Sequence, residues 1–274
     1  MNRTLSVPFA FWIVLLSVFS ALIIASIFSA LDPSILDGSK PGLSTYISMF
    51  FGQAFLIVPV LIYLNRKKLS VVESLRINSI SKQVLISIIL LSIGAMIIAD
   101  EINILVDIVI PAPDSFLQLE ALLTPDNPLS MLLLIITIVL LAPIGEELLF
   151  RGFLQKHLET SWGDITKAIL LSSLFFAAIH FNPYWLIQIY LLGVLLGYIA
   201  WQTQSVISSI IFHVIINASS LIFTFLGESA EAALLWHGHI NLSLIHISEP
   251  TRRYAIGYCG VWVKKKRGGG GGGG

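Results

Sequence analysis

Seven apolar runs separated by short polar breaks occupy most of the chain up to residue 226: roughly residues 7–31, 45–64, 83–110, 129–150, 166–181, 184–201 and 206–226. Several are long enough to cross a hydrocarbon core of about 30 Å, which takes about 20 residues of helix. In lipid the backbone has no water to bond, so a spanning chain is either helical or a closed barrel. The alternating pattern of barrel strands is absent. The fold class that remains is all-α, a polytopic transmembrane bundle of about seven helices. Composition agrees: 56% of residues are hydrophobic and 12% charged, against about 25% charged in soluble domains, and the mean hydropathy is +0.88.

From Leu242 the pattern stops. The stretch "LSLIHISEPTRRYAIGYCGVWVKKKRGGGGGGG" resembles a translated sequencing adapter running into homopolymer tracts, and residues 242–274 are set apart from the fold as a non-native tail. Residues 1–128 are read as N-terminal membrane helices and loops, and residues 129–241 as the core that carries function. Over residues 1–241 there are 10 Lys and Arg against 15 Asp and Glu, a formal charge of −5 where the full sequence has 0. The single cysteine, Cys259, lies in the tail, so disulfide and thiolate chemistry is not expected upstream. His246 lies there too, and His237 and His239 in "WHGHIN" are not expected to be metal ligands. The native sequence after Asn241 is expected to be missing. The first run follows a single Arg3 and exceeds a usual signal-peptide core, so it is read as a retained anchor.

Basic residues in short loops set orientation. Arg66, Lys67, Lys68, Arg76 and Lys82 follow the second run, whereas Asp114, Glu120 and Asp126 follow the third with no Lys or Arg. The first of these loops is therefore expected on the cytoplasmic side of the cell membrane, together with the N-terminus and the segment around Lys156 and Lys167. No internal repeat of the kind common in transporters is visible.

Against this apolar background the fourth run continues into "GEELLFRG". An ionisable group at bilayer depth is rare and usually functional. Glu147 and Arg151 share a helix face at i, i+4, which suits an ion pair, while Glu146 is turned about 100° away and is free for another task. If the fourth helix runs on to "SWGD" and reverses with Asp164 capping the fifth, His180 returns to nearly the depth of Glu146. A glutamate and a histidine at one depth can polarise a water molecule. In the last run "HVIIN" places His213 and Asn217 at i, i+4, either as interhelical glue or as donors to an oxyanion. His213 sits so few residues above "QTQS" that a tilt or break in the sixth helix is expected, with Gly193 and Gly197 allowing close approach. The acidic Asp100, Glu101 and Asp107 read as interfacial, and "GESA" at 227–230 lacks the strand-to-helix context of a serine nucleophile.

Taken together these motifs resemble the CPBP intramembrane proteases, which include the endoproteases of prenylated CAAX proteins and bacterial relatives tied to bacteriocin processing or self-immunity. EExxxR is Glu146, Glu147 and Arg151; FxxxH is Phe176 and His180; HxxxN is His213 and Asn217. The resemblance covers roughly residues 129–226. It implies that Glu146 is the general base, that His180 helps hold the attacking water, and that His213 and Asn217 stabilise the oxyanion, with Glu147 orienting or neutralising Arg151. It also implies either a metalloprotease or a metal-free, glutamate-activated water. Glutamate with two histidines is a zinc ligand set, but the spacing is not HExxH, and the cofactor stays open at this point. The partners expected are membrane lipid and a peptide or protein substrate, prenylated or membrane-embedded, and no nucleic acid. Two other classes share the features: a non-catalytic immunity or peptide-binding protein, and a proton-coupled transporter using the buried carboxylates as a relay.

Overall fold

The computed structural model describes residues 5–30, 41–109, 122–183 and 185–234. The helices among these residues are α1 (Val7–Ser29), α2 (Leu43–Arg66), the single turn α3 (Val71–Ser74), α4 (Lys82–Val109), α5 (Pro128–Trp162), α6 (Ile165–Ala178), α7 (Leu186–Thr203) and α8 (Val206–Leu234). No strand occurs among the described residues. Helices α1, α2, α4, α5 and α7 are long and apolar enough to cross a membrane, while α6 and the stretch Val206–Ile222 of α8 are shorter apolar helices. The protein is a multi-pass helical bundle, and these seven helices coincide with the seven apolar runs. The tail, His237 and His239, Asp114 and Glu120, and the side chains of Asp100, Glu101 and Asp107 lie outside the described residues.

Local chemistry fixes the helix ends that matter for the site. Asn127 caps α5, its side-chain oxygen accepting the Ser130 N–H at 2.8 Å, and Pro128 stands at the first position, where a missing N–H is harmless. At the other end Gly163, with φ +64°, terminates α5 in a left-handed turn that glycine adopts without strain. Asp164 then caps α6 by accepting the Lys167 N–H at 2.9 Å. The reversal expected at "SWGD" is therefore present, and α5 and α6 form an antiparallel pair.

Helix α5 is the axis: α1, α2, α6, α7 and α8 all pack against it. One apolar cluster joins α1, α2, α5 and α6 through Val14, Leu64, Leu149, Leu154 and Phe176. A second joins α4, α7 and α8 through Ile88, Leu196 and Phe212. A third joins α2, α5 and α8 through Tyr46, Leu134 and Leu221. Side chains such as Trp12, Leu90 and Ile98 face outward, as suits a lipid boundary. Because lipid is as apolar as leucine, close packing and polar contacts hold such helices together rather than apolar burial.

At one end of the bundle the loop after α2, the α5–α6 turn and the α7–α8 turn meet. Arg76 pairs with Glu159, Lys156 reaches the Glu73 carbonyl, and the Asn78 side chain donates to the Gln204 carbonyl at 2.6 Å. This is the end that carries Arg66, Lys67, Lys68 and Lys167 as well, and it is called the basic end below. Helix α7 is unbroken, so of the tilt or break expected there the break is absent, and α5 runs on to Trp162 while His213 of α8 reaches Glu147. Helix α6 ends at Ala178, so His180 lies just past its last turn.

Candidate active site

Around the two glutamates α5 is not uniform. Ile136–Leu141 and Leu148–Gln155 are wound as π-helix on either side of a six-residue α-segment, Ala142–Glu147, with Pro143 in its first turn. Proline cannot join the ordinary hydrogen-bond ladder, and widened turns of this kind occur mostly at functional sites. From Gly145 to Gln155 all but Leu148 are buried, so both carboxylates and the arginine face the interior of the bundle.

Glu147 is fully buried. One of its oxygens accepts from Arg151 Nη1 at 2.7 Å and from His213 Nδ1 at 3.1 Å. Arg151, 1% exposed, also donates through Nη2 to the Gly193 carbonyl at 3.0 Å. Its guanidinium lies 4.2 Å from the centre of the Phe176 ring, a cation–π contact. The expected ion pair is therefore present, but it is part of a larger unit: one carboxylate, two cationic or polar donors from two helices, and an aromatic floor.

Glu146 has different surroundings. It is 8% exposed, and its carboxylate oxygen faces His213 Nε2 at 4.0 Å. That distance is too long for a direct hydrogen bond. It suits an intervening solvent molecule, since two bonds of about 2.8 Å to a shared oxygen span 4.0 Å at an angle of about 90°. A carboxylate accepts but does not donate, so the bond to Glu147 places a proton on His213 Nδ1 and leaves Nε2 pointing toward Glu146.

Phe176 organises the remaining residues. Its ring packs on Phe150 at 5.4 Å, on His213 at 6.0 Å and on His180 at 5.0 Å between centres. Phe176 thus packs beside Phe150 and Arg151, and His180 follows it by four residues, past the end of α6. The carboxylate of Glu146 faces His213 rather than His180. The His180 Nδ1 donates to the Phe176 carbonyl at 2.7 Å, leaving Nε2 unengaged at the exposed end of α6. Asn217 donates to the Ile138 carbonyl, in the first π-wound stretch, at 2.9 Å. Its amide nitrogen has a second hydrogen, so this bond does not exhaust it.

Sequence reasoning missed two members of this constellation. Gln155, wholly buried, donates to the Gly197 carbonyl at 2.9 Å and to Glu159 at 2.8 Å. Arg76 reaches Glu159 from the loop after α2. The signal for Gln155 was its place four residues after Arg151, the same step that separates Gly193 from Gly197. Arg76 offered none, because its contact spans 83 residues. A groove of about 390 Å³ between α6 and α7, lined by Asp164, Lys167, Leu170, Leu174 and Tyr190, includes none of the site residues. Among the described residues no group of three His, Cys, Asp or Glu side chains is placed to hold a metal ion.

Residues 128–219 match the family model Rce1-like, described as type II CAAX prenyl endopeptidase Rce1-like. No curated protein and no solved structure matches the chain. The matched stretch contains Glu146, Glu147, Arg151, Phe176, His180, His213 and Asn217.

Proposed function

We propose, on the premise that residues 128–219 carry the sequence of the CAAX protease family, that this membrane protein is an endopeptidase whose nucleophile is a water activated by Glu146. The observation that carries this reading is the division between the two glutamates. Glu147 bonds Arg151 and His213 directly through one carboxylate oxygen, whereas Glu146 faces His213 Nε2 across a gap of 4.0 Å.

In this mechanism Glu146 takes a proton from water as the oxygen attacks the scissile carbonyl carbon. The His180 Nε2 supplies a second contact to that water. The charge that develops on the carbonyl oxygen is met by His213 Nε2–H, when the ring is protonated, and by the second hydrogen of the Asn217 amide. Glu147 holds the His213 ring through Nδ1 and fixes its direction. Glu146 then returns its proton to the leaving amine as the C–N bond breaks. Glu146 is 8% and His213 4% exposed although His180 beside them is exposed, so the bundle must open for a peptide to reach the two inner groups.

The basic end is assigned to the cytoplasm by its lysines and arginines, so substrate approaches from the cytoplasmic half of the membrane. The substrate class is a prenylated or membrane-embedded peptide. Incubating the purified protein with prenylated and unprenylated peptides, beside Glu146→Ala and His180→Ala, tests the reading. Cleavage by the wild type alone is the expected result. If no peptide is cut by any of the three, with and without added divalent metal, the reading fails.

A further inference from the structure

The loop Leu75–Asn78 lies outside the family-matched stretch, yet it touches both helices that carry the site. Toward α5, the Arg76 guanidinium pairs with Glu159. The Leu75 backbone also lies so close to Gly152 that a Cβ there would stand 2.8 Å from the Leu75 carbonyl oxygen. Toward α8, the Arg76 carbonyl accepts the N–H of Val206, its first residue, at 2.9 Å. Asn78 donates to Gln204 at 2.6 Å, and its carbonyl accepts the Ser205 hydroxyl. Arg76 is 4% exposed and has φ +56°. A left-handed backbone is uncommon outside glycine and persists where the surroundings over-determine it.

Followed around, these contacts close a frame. Its sides are α5 from Glu147 to Glu159 and α8 from Val206 to His213. One end is the Arg76 clasp, and the other is the bond of 3.1 Å between Glu147 and His213. Between them Arg151 and Gln155 tie α5 to the Gly193 and Gly197 carbonyls of α7. Pinned only at the site, two helices can slide against each other. Pinned at the basic end too, they cannot.

We propose that Arg76 is a positioning residue for the site, fixing the register of α5 against α8 so that His213 stays opposed to Glu146 and Glu147. Its activity readout rests on the protease reading above; its distance readout does not.

The test uses the full chain in a Cys259→Ser background with spin labels at Ser161→Cys on α5 and Ser220→Cys on α8, both exposed. Arg76→Ala is expected to broaden the distance distribution and to lower kcat, per folded molecule, by about ten- to a hundredfold with KM little changed, since small misplacements of catalytic groups act at this scale. Val60→Ala, a core truncation in α2 that also lowers melting temperature, is expected to change neither. An unaltered distribution and kcat in Arg76→Ala, or equal changes in Val60→Ala, would overturn the proposal. If Arg76→Ala does not fold, Arg76→Lys and Asn78→Ala are judged by the same criteria. If the wild type cuts no peptide, the protease reading fails and the distance distributions alone decide on the clasp.

Discussion

Glu146 and Glu147 are chain neighbours in opposite circumstances, and the difference can be separated by mutation. Removing Glu147 leaves Arg151, 1% exposed, without its counter-charge. Breaking a buried pair by deleting one partner costs about 3–5 kcal/mol, so Glu147→Ala is expected to lower the melting temperature in detergent markedly. Glu146→Gln keeps the shape of a side chain that makes no bond as short as those of Glu147. It is expected to change stability by about 0.5 kcal/mol or less while lowering peptide cleavage by about 10²- to 10⁴-fold, the usual scale of general-base loss. A Glu146→Gln protein that melts normally and still cuts would remove Glu146 from the mechanism. At this scale the i, i+4 partnership of Glu147 and Arg151 was legible in spacing alone. That Glu146 faces His213 was not, because helix rotation is set by the π-wound stretches of α5 and by packing on Phe176.

The seam between α5 and α7 shows how glycine spacing becomes a polar contact. Gly193 and Gly197 were readable as points of close approach. What the spacing concealed is that their carbonyls receive Arg151 and Gln155, since a backbone acceptor leaves no trace in a sequence. A Cβ on Gly197 would meet Gln155 Oε1 at 2.7 Å, and one on Gly152 would meet a backbone oxygen of Leu75 at 2.8 Å. Both Gly197→Ala and Gly152→Ala are expected to destabilise by about 1–3 kcal/mol, the usual scale of overpacking, with Gly152 the worse because a loop cannot rotate away as a side chain can. Gly94, in α4, has open space beside it, and Gly94→Ala is expected to be neutral or to stabilise by up to about 1 kcal/mol from helix propensity. Thermal melts of the three variants side by side check the order.

For the molecule as a whole, seven apolar runs were enough to define the bundle, because a chain in lipid has so few ways to satisfy its backbone. Harder to read was how far each helix reaches: α5 continues through "RGFLQKHLETSW" as expected, while α6 stops before His180. Orientation makes a prediction of its own. In the Cys259→Ser background, Ser161→Cys at the basic end is expected to react with an impermeant maleimide only from the cytoplasmic side, and Pro128→Cys, exposed at the start of α5, only from the outer side. The reverse pattern would invert the topology. Finally, a catalytic pair hidden within a helical bundle, 8% and 4% exposed, ties reaction speed to the surrounding bilayer. Stiffer, more ordered acyl chains resist the parting of helices, so turnover is expected to rise with lipid fluidity even when substrate concentration and temperature are held fixed.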